Sequence, residues 1–292
     1  MTKSSNFFLF LIPALIWGST WFVITFQLGH VDPLVSVSYR FLLGGVILLG
    51  YARWAKLNLH FTFGQHLRAL QQGVLLFGTN YWFVYLAEQT LTSGLVAVAF
   101  STLIFFNIGF GAIFLKARVS GRVVIGAILG LTGTILIYRT EFINYKSSDE
   151  FTLALIYCVG SIVFASLGNI TSAANQGKKM PVIQTSAFGM IYGALAMELI
   201  ALIAGKSFTI DWSVTYLASL FYLALFGSVI AFTAYLTLIG RVGAGQAAYA
   251  IVIVPVVAIT ISALFENYKL DLFAIIGIVT LVAGNIIAMR KK

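Results

Sequence analysis

Apolar residues recur in this chain in runs of membrane-spanning length, broken only by short polar connections. A helix needs about 20 mainly apolar residues to cross the hydrocarbon core of a bilayer. Ten stretches approach that length: roughly 7–26, 35–53, 67–87, 93–115, 122–138, 152–175, 182–204, 213–239, 244–265 and 272–289. A segment surrounded by lipid must satisfy its backbone internally, so each run is expected to be a helix. The expectation is an all-α membrane protein of ten transmembrane helices. Of its 292 residues 60% are hydrophobic and 9% charged, against about 25% charged in soluble domains. The connections leave little room for a soluble domain, so function is expected within the membrane.

Several function classes are argued against by what the sequence lacks. The net charge of +9 would suit nucleic acid, but the bases sit in short loops between spans, as inner-loop basicity requires. No nucleic-acid partner is therefore expected, only the lipid bilayer and a small-molecule substrate. His30, His60 and His66 lie in loops or at span ends with no neighbouring acid or cysteine, so no metal or cofactor is expected. There is no Walker-type glycine loop for ATP and no nucleophile-plus-base arrangement, so an enzyme is not expected. Cys158, the one cysteine, excludes an internal disulfide and reads as a small apolar residue inside a helix.

The chain repeats itself. Gly245, Gly277 and Gly284 follow Gly94, Gly126 and Gly133 at a constant offset of 151 residues, as Ala248, Ala250 and Ala263 follow Ala97, Ala99 and Ala112. Pro181, Ser186 and Gly193 echo Pro33, Ser38 and Gly45 at an offset of 148. The longest polar connection, Arg139 to Glu150, separates five spans from five. The organisation expected is a first five-helix unit over 1–140, an external linker over 141–150 and a second unit over 151–292. An odd number of spans places the ends of each unit on opposite faces, so the second unit is inverted. Inverted repeats of this kind are a signature of secondary transporters. The hinges agree: Lys116 to Arg122 is basic throughout, whereas Glu266 to Asp271 holds two acids and one base.

With the N-terminus cytoplasmic, thirteen of the 18 lysines and arginines fall inside, including Arg53, Lys56, Arg68, Lys116, Lys178, Arg241 and the C-terminal Arg290-Lys291-Lys292. The positive-inside rule then places both termini in the cytoplasm of a bacterial-type inner membrane. Glu88, Glu266 and most other acids fall in outer connections, leaving Glu198 as the one acid within a span.

Trp17-Gly18-Ser19-Thr20, Arg40-Phe41, and the Phe265-Glu266 hinge followed by Gly277 and Gly284 resemble the EamA-type drug/metabolite transporters. The resemblance covers nearly the whole chain. It implies a ten-helix basket around a central cavity, alternating access, and export of amino acids or related metabolites. One position departs: Ala117 stands where the first hinge of such proteins carries a glutamate.

Candidate substrate-binding residues are Trp17, Arg40, Asn80, Tyr81, Tyr85, Gln246 and Tyr249. A charge within a span costs at least about 2.5–3.5 kcal/mol on insertion scales and so faces protein or water, or snorkels. Arg40 either attracts an anionic substrate group or latches an outer gate, or it snorkels to the interface. Glu198 carries a coupling proton or pairs with Arg40, or is a snorkelled carboxylate. Trp17 and Trp21, and Tyr81 and Tyr85, are each one helical turn apart, with Glu88 continuing the second stripe. Such stripes either pack helices or line a cavity suited to planar, apolar or cationic groups. Asn80, Asn107, Ser166, Asn169 and Gln246 should face the bundle, because lipid offers them no partner. Gly126-x-x-x-Gly130 and Gly189-x-x-x-Gly193 read as close helix contacts within one chain, which is expected to function as a monomer. Pro255 interrupts span 9, near Gly243 and Gly245, and is the candidate gating element. The rival readings are a multidrug or cationic-compound exporter and, more remotely, a membrane-embedded receptor or enzyme.

Overall fold

A computed structural model describes the backbone of residues 3–289 except 118, 120, 145–147, 248, 253, 267 and 269; the side chains of 3–6, 123, 140–144, 245, 249, 252, 288 and 289 also lie outside it. Among the described residues the structure is helical without strands, and the helices group into ten rods. They are α1 (Lys3–Thr25), α2 (Pro33–Trp54), α3 (63–88), α4 (Ser93–Leu115), α5 (Gly121–Asn144), α6 (Asp149–Gly177), α7 (Val182–Ile203), α8 (Val214–Val242), α9 (the pieces Ala244–Ala247, Tyr249–Val252 and Val254–Phe265) and α10 (Leu272–Met289). Six of them, α1, α2, α4, α6, α7 and α8, are long and apolar enough to cross a membrane. Shorter apolar helices lie within α5, α9 and α10, at Val124–Arg139, Val254–Phe265 and Leu272–Ile287. In α3, Arg68, Gln71, Gln72 and Asn80 dilute the apolar run.

Local sequence explains where the rods begin. Asp32 caps α2, its Oδ1 accepting the Leu34 N–H at 2.9 Å, and Pro33 fills the first helical position, where no N–H is needed. Thr62 and Gln65 form a reciprocal capping box at α3. Ser213, which corresponds to Thr62 in the second repeat, caps α8 through the Tyr216 N–H. Outward-facing Ile128, Leu131, Ile135, Ile275 and Val279 are all more than half exposed, an apolar belt that only lipid would cover without penalty.

The inversion is visible in the contacts between equivalent helices. A Cβ placed on Gly277 would stand 2.7 Å from the Gly133 carbonyl oxygen, and one on Gly284 2.7 Å from that of Gly126. Rising numbers on α5 meet falling numbers on α10, so these two copies of one helix run antiparallel, backbone against backbone. The same holds for α2 and α7: Ser38 bonds Glu198, while Gly45 abuts Ala187 and Ile191. The other contacts come in matched sets. The α1–α8 pair mirrors α6–α3, and α1–α9 mirrors α6–α4. Gly189 and Gly193 pack on Gly73 and Gly78 of α3, so both small-residue motifs serve contacts within the chain.

α3 and α8 share a further feature that periodicity cannot reveal. Each has a π-helical segment at its centre, Val74–Thr79 in one and Leu223–Ile230 in the other, at corresponding places in the two repeats. A π-turn widens the helix and re-aims its carbonyls, and such segments are frequent at functional sites.

Candidate substrate-binding site

The two π-segments flank a cavity of about 50 Å³ at the centre of the bundle. About 10–15 Å³ holds one water, so the cavity has room for a few waters, and a metabolite would require it to widen. Its walls come from α1 (Trp17, Thr20, Trp21, Ile24), α3 (Leu76, Asn80, Tyr81, Val84), α4 (Phe100, Leu103), α6 (Ala165, Asn169), α8 (Phe232, Tyr235) and α9 (Ile251, Val254). Six rings stand there: Trp17 makes edge contacts with Phe232 and Tyr235 at centroid distances of 5.0 Å, and Trp21 lies 4.7 Å from Phe100.

The Trp17 indole N–H donates to the Gly227 carbonyl inside the second π-segment at 3.1 Å, which fixes that ring against α8. Asn80, immediately after the first π-segment, donates to the Leu76 carbonyl at 3.1 Å. Asn107, Ser166 and Asn169 form a cluster in which the Asn107 Oδ1 accepts from Ser166 at 2.8 Å and from Asn169 at 3.4 Å. These bonds leave four buried polar atoms on cavity-lining residues without a partner among the described residues: Trp21 Nε1, Asn80 Oδ1, Asn169 Oδ1 and the Tyr235 hydroxyl. Buried polar atoms in membrane proteins are nearly always paired. Four orphans on the walls of one aromatic cavity form a ligand-shaped set: two donors, counting the hydroxyl, and two acceptors. No lining residue carries a formal charge.

Hydrogen-bonded side chains join the helices beyond the cavity on both sides. Toward one face, the Tyr85 hydroxyl donates to Gln27 at 3.0 Å, Gln27 donates to Ser219 at 3.2 Å, and Tyr216 shares a 2.9 Å hydrogen bond with Ser36. Toward the other, Asn175 donates to Gln72 at 3.1 Å and Gln176 to the Leu236 carbonyl at 3.0 Å.

The sequence candidates separate accordingly. Trp17, Asn80 and Tyr81 line the cavity; Arg40 and Tyr85 stand beside it. Arg40 is fully buried, so it does not snorkel to the interface. Its Nε donates to Ser228 at 3.1 Å and its guanidinium carbon lies 4.3 Å from the Tyr81 ring centre. A residue larger than Gly227 would crowd the Arg40 Nη2. Glu198 does not pair with Arg40; it accepts a 2.8 Å hydrogen bond from Ser38, because its place near the end of α7 faces the first turns of the antiparallel α2. Gln246 is exposed and off the cavity wall, and the Tyr249 side chain lies outside the described residues. Pro255 is buried within α9 next to the lining residue Val254. Glu88, expected in an outer connection, is instead the last residue of α3, 6% exposed, and neither carboxyl oxygen has a hydrogen-bond partner among the described residues. Phe232, Tyr235, Ile251 and Val254 were not singled out by sequence; the i, i+3 spacing of Phe232 and Tyr235 was the available signal. Glu266 caps α4, accepting from the Ser93 hydroxyl at 2.6 Å and the Ser93 N–H at 3.3 Å.

Comparison with known proteins fits this architecture. The EamA-like transporter family matches residues 4–139 and again 152–290. The chain is 31% identical over 250 residues to YedA, an uncharacterized inner membrane transporter of Escherichia coli (strain K12), covering 84% of this chain and 78% of that one. It is 24% identical to the protein PagO of Salmonella typhimurium (strain LT2), covering 100% of this chain and 95% of that one. It is 23% identical to YoaV, an uncharacterized transporter of Bacillus subtilis (strain 168), over 92% and 91%. A crystal structure at 16% identity superposes with a TM-score of 0.75 over 98% of this chain and 97% of the other, a likeness of fold.

Proposed function

Because the chain belongs to the EamA-like transporter family and is a multi-pass membrane protein, we propose that it is a secondary transporter exporting amino acids or related small metabolites by alternating access. The observation that carries this reading is the central cavity, where aromatic walls meet four polar atoms without a partner among the described residues, between the two inverted repeats. Aromatic faces accept the apolar body of such a metabolite, and the orphaned groups match its donors and acceptors. Arg40, its guanidinium held against the Tyr81 ring, supplies the charge that a substrate carboxylate needs once the cavity widens. The lining holds no carboxylate to attract a cation, which favours this reading over a multidrug exporter. One chain supplies the whole cavity, in keeping with a monomer, and the distribution of bases supports cytoplasmic termini.

The two halves rock about the cavity in this mechanism. The α2–α7 and α5–α10 pairs, locked by backbone-to-backbone glycine contacts, form the frame. Breaking the Tyr85–Gln27–Ser219 set opens one face, and breaking the Gln176–Leu236 contact opens the other. The test is counterflow of labelled amino acids into proteoliposomes preloaded with the same compound. Saturable exchange supports the proposal; no exchange for any amino acid would overturn the substrate class.

A further inference from the structure

Two neighbouring residues of the second π-segment hold Trp17 and Arg40. The Gly227 carbonyl accepts the Trp17 indole N–H at 3.1 Å, and the Ser228 Oγ accepts from the Arg40 Nε at 3.1 Å. Ser228 is fully buried and donates its own proton to the Leu223 carbonyl, five residues back, at 3.0 Å. Five residues is the reach of a π-turn. A hydroxyl carries one proton and two lone pairs. With its proton committed to Leu223, the Ser228 hydroxyl presents lone pairs to Arg40. Gly227 shapes the other side of the seat. A methyl group there would stand 3.1 Å from the Arg40 Nη2 and 3.0 Å from the Thr20 Cγ2. The guanidinium thus stands beside Tyr81, 4.3 Å from its ring centre, and across the bare Gly227 Cα from Thr20. Tyr81 and Thr20 both line the cavity.

We propose that Gly227 and Ser228 are positioning residues that seat Arg40 with its charge against the cavity wall, and so make the protein select substrates that carry a carboxylate. This rests on the transporter reading above. The two repeats differ at this seat. The first π-segment has the same run of a phenylalanine, a glycine and a hydroxyl, Phe77-Gly78-Thr79 against Phe226-Gly227-Ser228. At the offset of 148 residues that relates α2 to α7, however, Phe188 takes the place of Arg40 and packs on Phe61 and His66. The π-segment with a hydroxyl occurs twice and the cation once. One side of the cavity is therefore marked for an anionic group, which orients an amphipathic substrate within otherwise uncharged aromatic walls. The seat is built into a π-segment, so a return of these turns to regular α-helix would move the anchors of Trp17 and Arg40 together.

The experiment is counterflow of labelled leucine in proteoliposomes, with KM and maximal rate measured separately and leucinamide as the unlabelled competitor. Another amino acid that the wild type exchanges, with its amide, takes their place if leucine is not exchanged. The amide keeps the side chain and the amine and lacks only the carboxylate; at about pH 6 its amine is protonated, as that of leucine is. Wild type should bind leucine more tightly than leucinamide. Ser228→Ala should raise the KM for leucine about tenfold or more, leave the inhibition constant of leucinamide little changed, and change the maximal rate less than KM. Ser228→Thr, which restores the hydroxyl in the form that Thr79 supplies in the first repeat, should return the preference. Gly227→Ala, which crowds the Arg40 Nη2, should lose it as Ser228→Ala does, and it decides the matter if Ser228→Ala does not fold. Both constants rising together would make the seat a packing feature and overturn the proposal, as would an unchanged ratio of the two. A wild type that exchanges no amino acid would defeat the transporter reading and this role with it. A wild type that exchanges leucine while both variants keep its preference would defeat the seat alone.

Discussion

The backbone contact between α5 and α10 gives a stability prediction whose sign depends on which glycine is changed. A methyl group on Gly277 would lie 2.7 Å from both the Gly133 oxygen and the Ile137 Cγ1, and 3.0 Å from the Ile137 nitrogen. One on Gly133 would lie 2.6 Å from the Gly277 oxygen and from the Leu281 nitrogen. For each methyl group two of these neighbours are backbone atoms of a packed helix, so the helices must separate. Overpacking of this kind costs about 1–3 kcal/mol. Gly50 and Gly109 are also helical, but a methyl group on either would meet nothing within 4 Å. There, replacement by alanine gains about 0.5–1 kcal/mol of helix propensity. At about 2–4 °C per kcal/mol, Gly133→Ala and Gly277→Ala should each lower the melting midpoint of detergent-purified protein by several degrees. Gly50→Ala and Gly109→Ala should leave it unchanged or raise it slightly. The pseudo-twofold relation also requires the two destabilising variants to be similar. Wild-type midpoints for Gly133→Ala and Gly277→Ala, or a drop in all four variants alike, would refute the interlocked contact.

Other outcomes follow from the site. Asn169→Ala and Tyr235→Phe remove orphaned polar atoms from the cavity wall and should weaken substrate binding by about 1–3 kcal/mol, or roughly 5- to 150-fold in KM of exchange, with little change in melting midpoint. Glu266→Ala deletes the cap on α4 and should cost about 0.5–2 kcal/mol, read as a lower midpoint and faster hydrogen exchange at Leu95 and Val96. Pro255→Ala should alter turnover while leaving membrane insertion intact; unchanged exchange kinetics would remove Pro255 from the mechanism.

Much of the architecture was legible because glycine leaves a record of contact. Gly126 and Gly133 recur as Gly277 and Gly284 for the physical reason that each pair is the other's packing surface. The cavity was only partly legible. Trp17, Asn80 and Tyr81 stood out as aromatic or polar residues in apolar runs, whereas Phe232, Ile251 and Val254 are indistinguishable by type from residues facing lipid. A helix that is apolar all round gives periodicity nothing to orient it. Glu88 looked external because it borders a polar connection, Gln89 to Thr92; its burial comes from helices remote in sequence. The paired π-segments have no composition signal at all.

The central claim is that one cavity opens in turn to each face. Its most direct test is a single cysteine at Ala165, on the cavity wall, in a Cys158→Ala background. It would be probed with a membrane-impermeant maleimide in right-side-out and inside-out vesicles. The account predicts reaction from both sides, slowed in each case by a transported amino acid. Reaction from one side alone, or from neither, would contradict it.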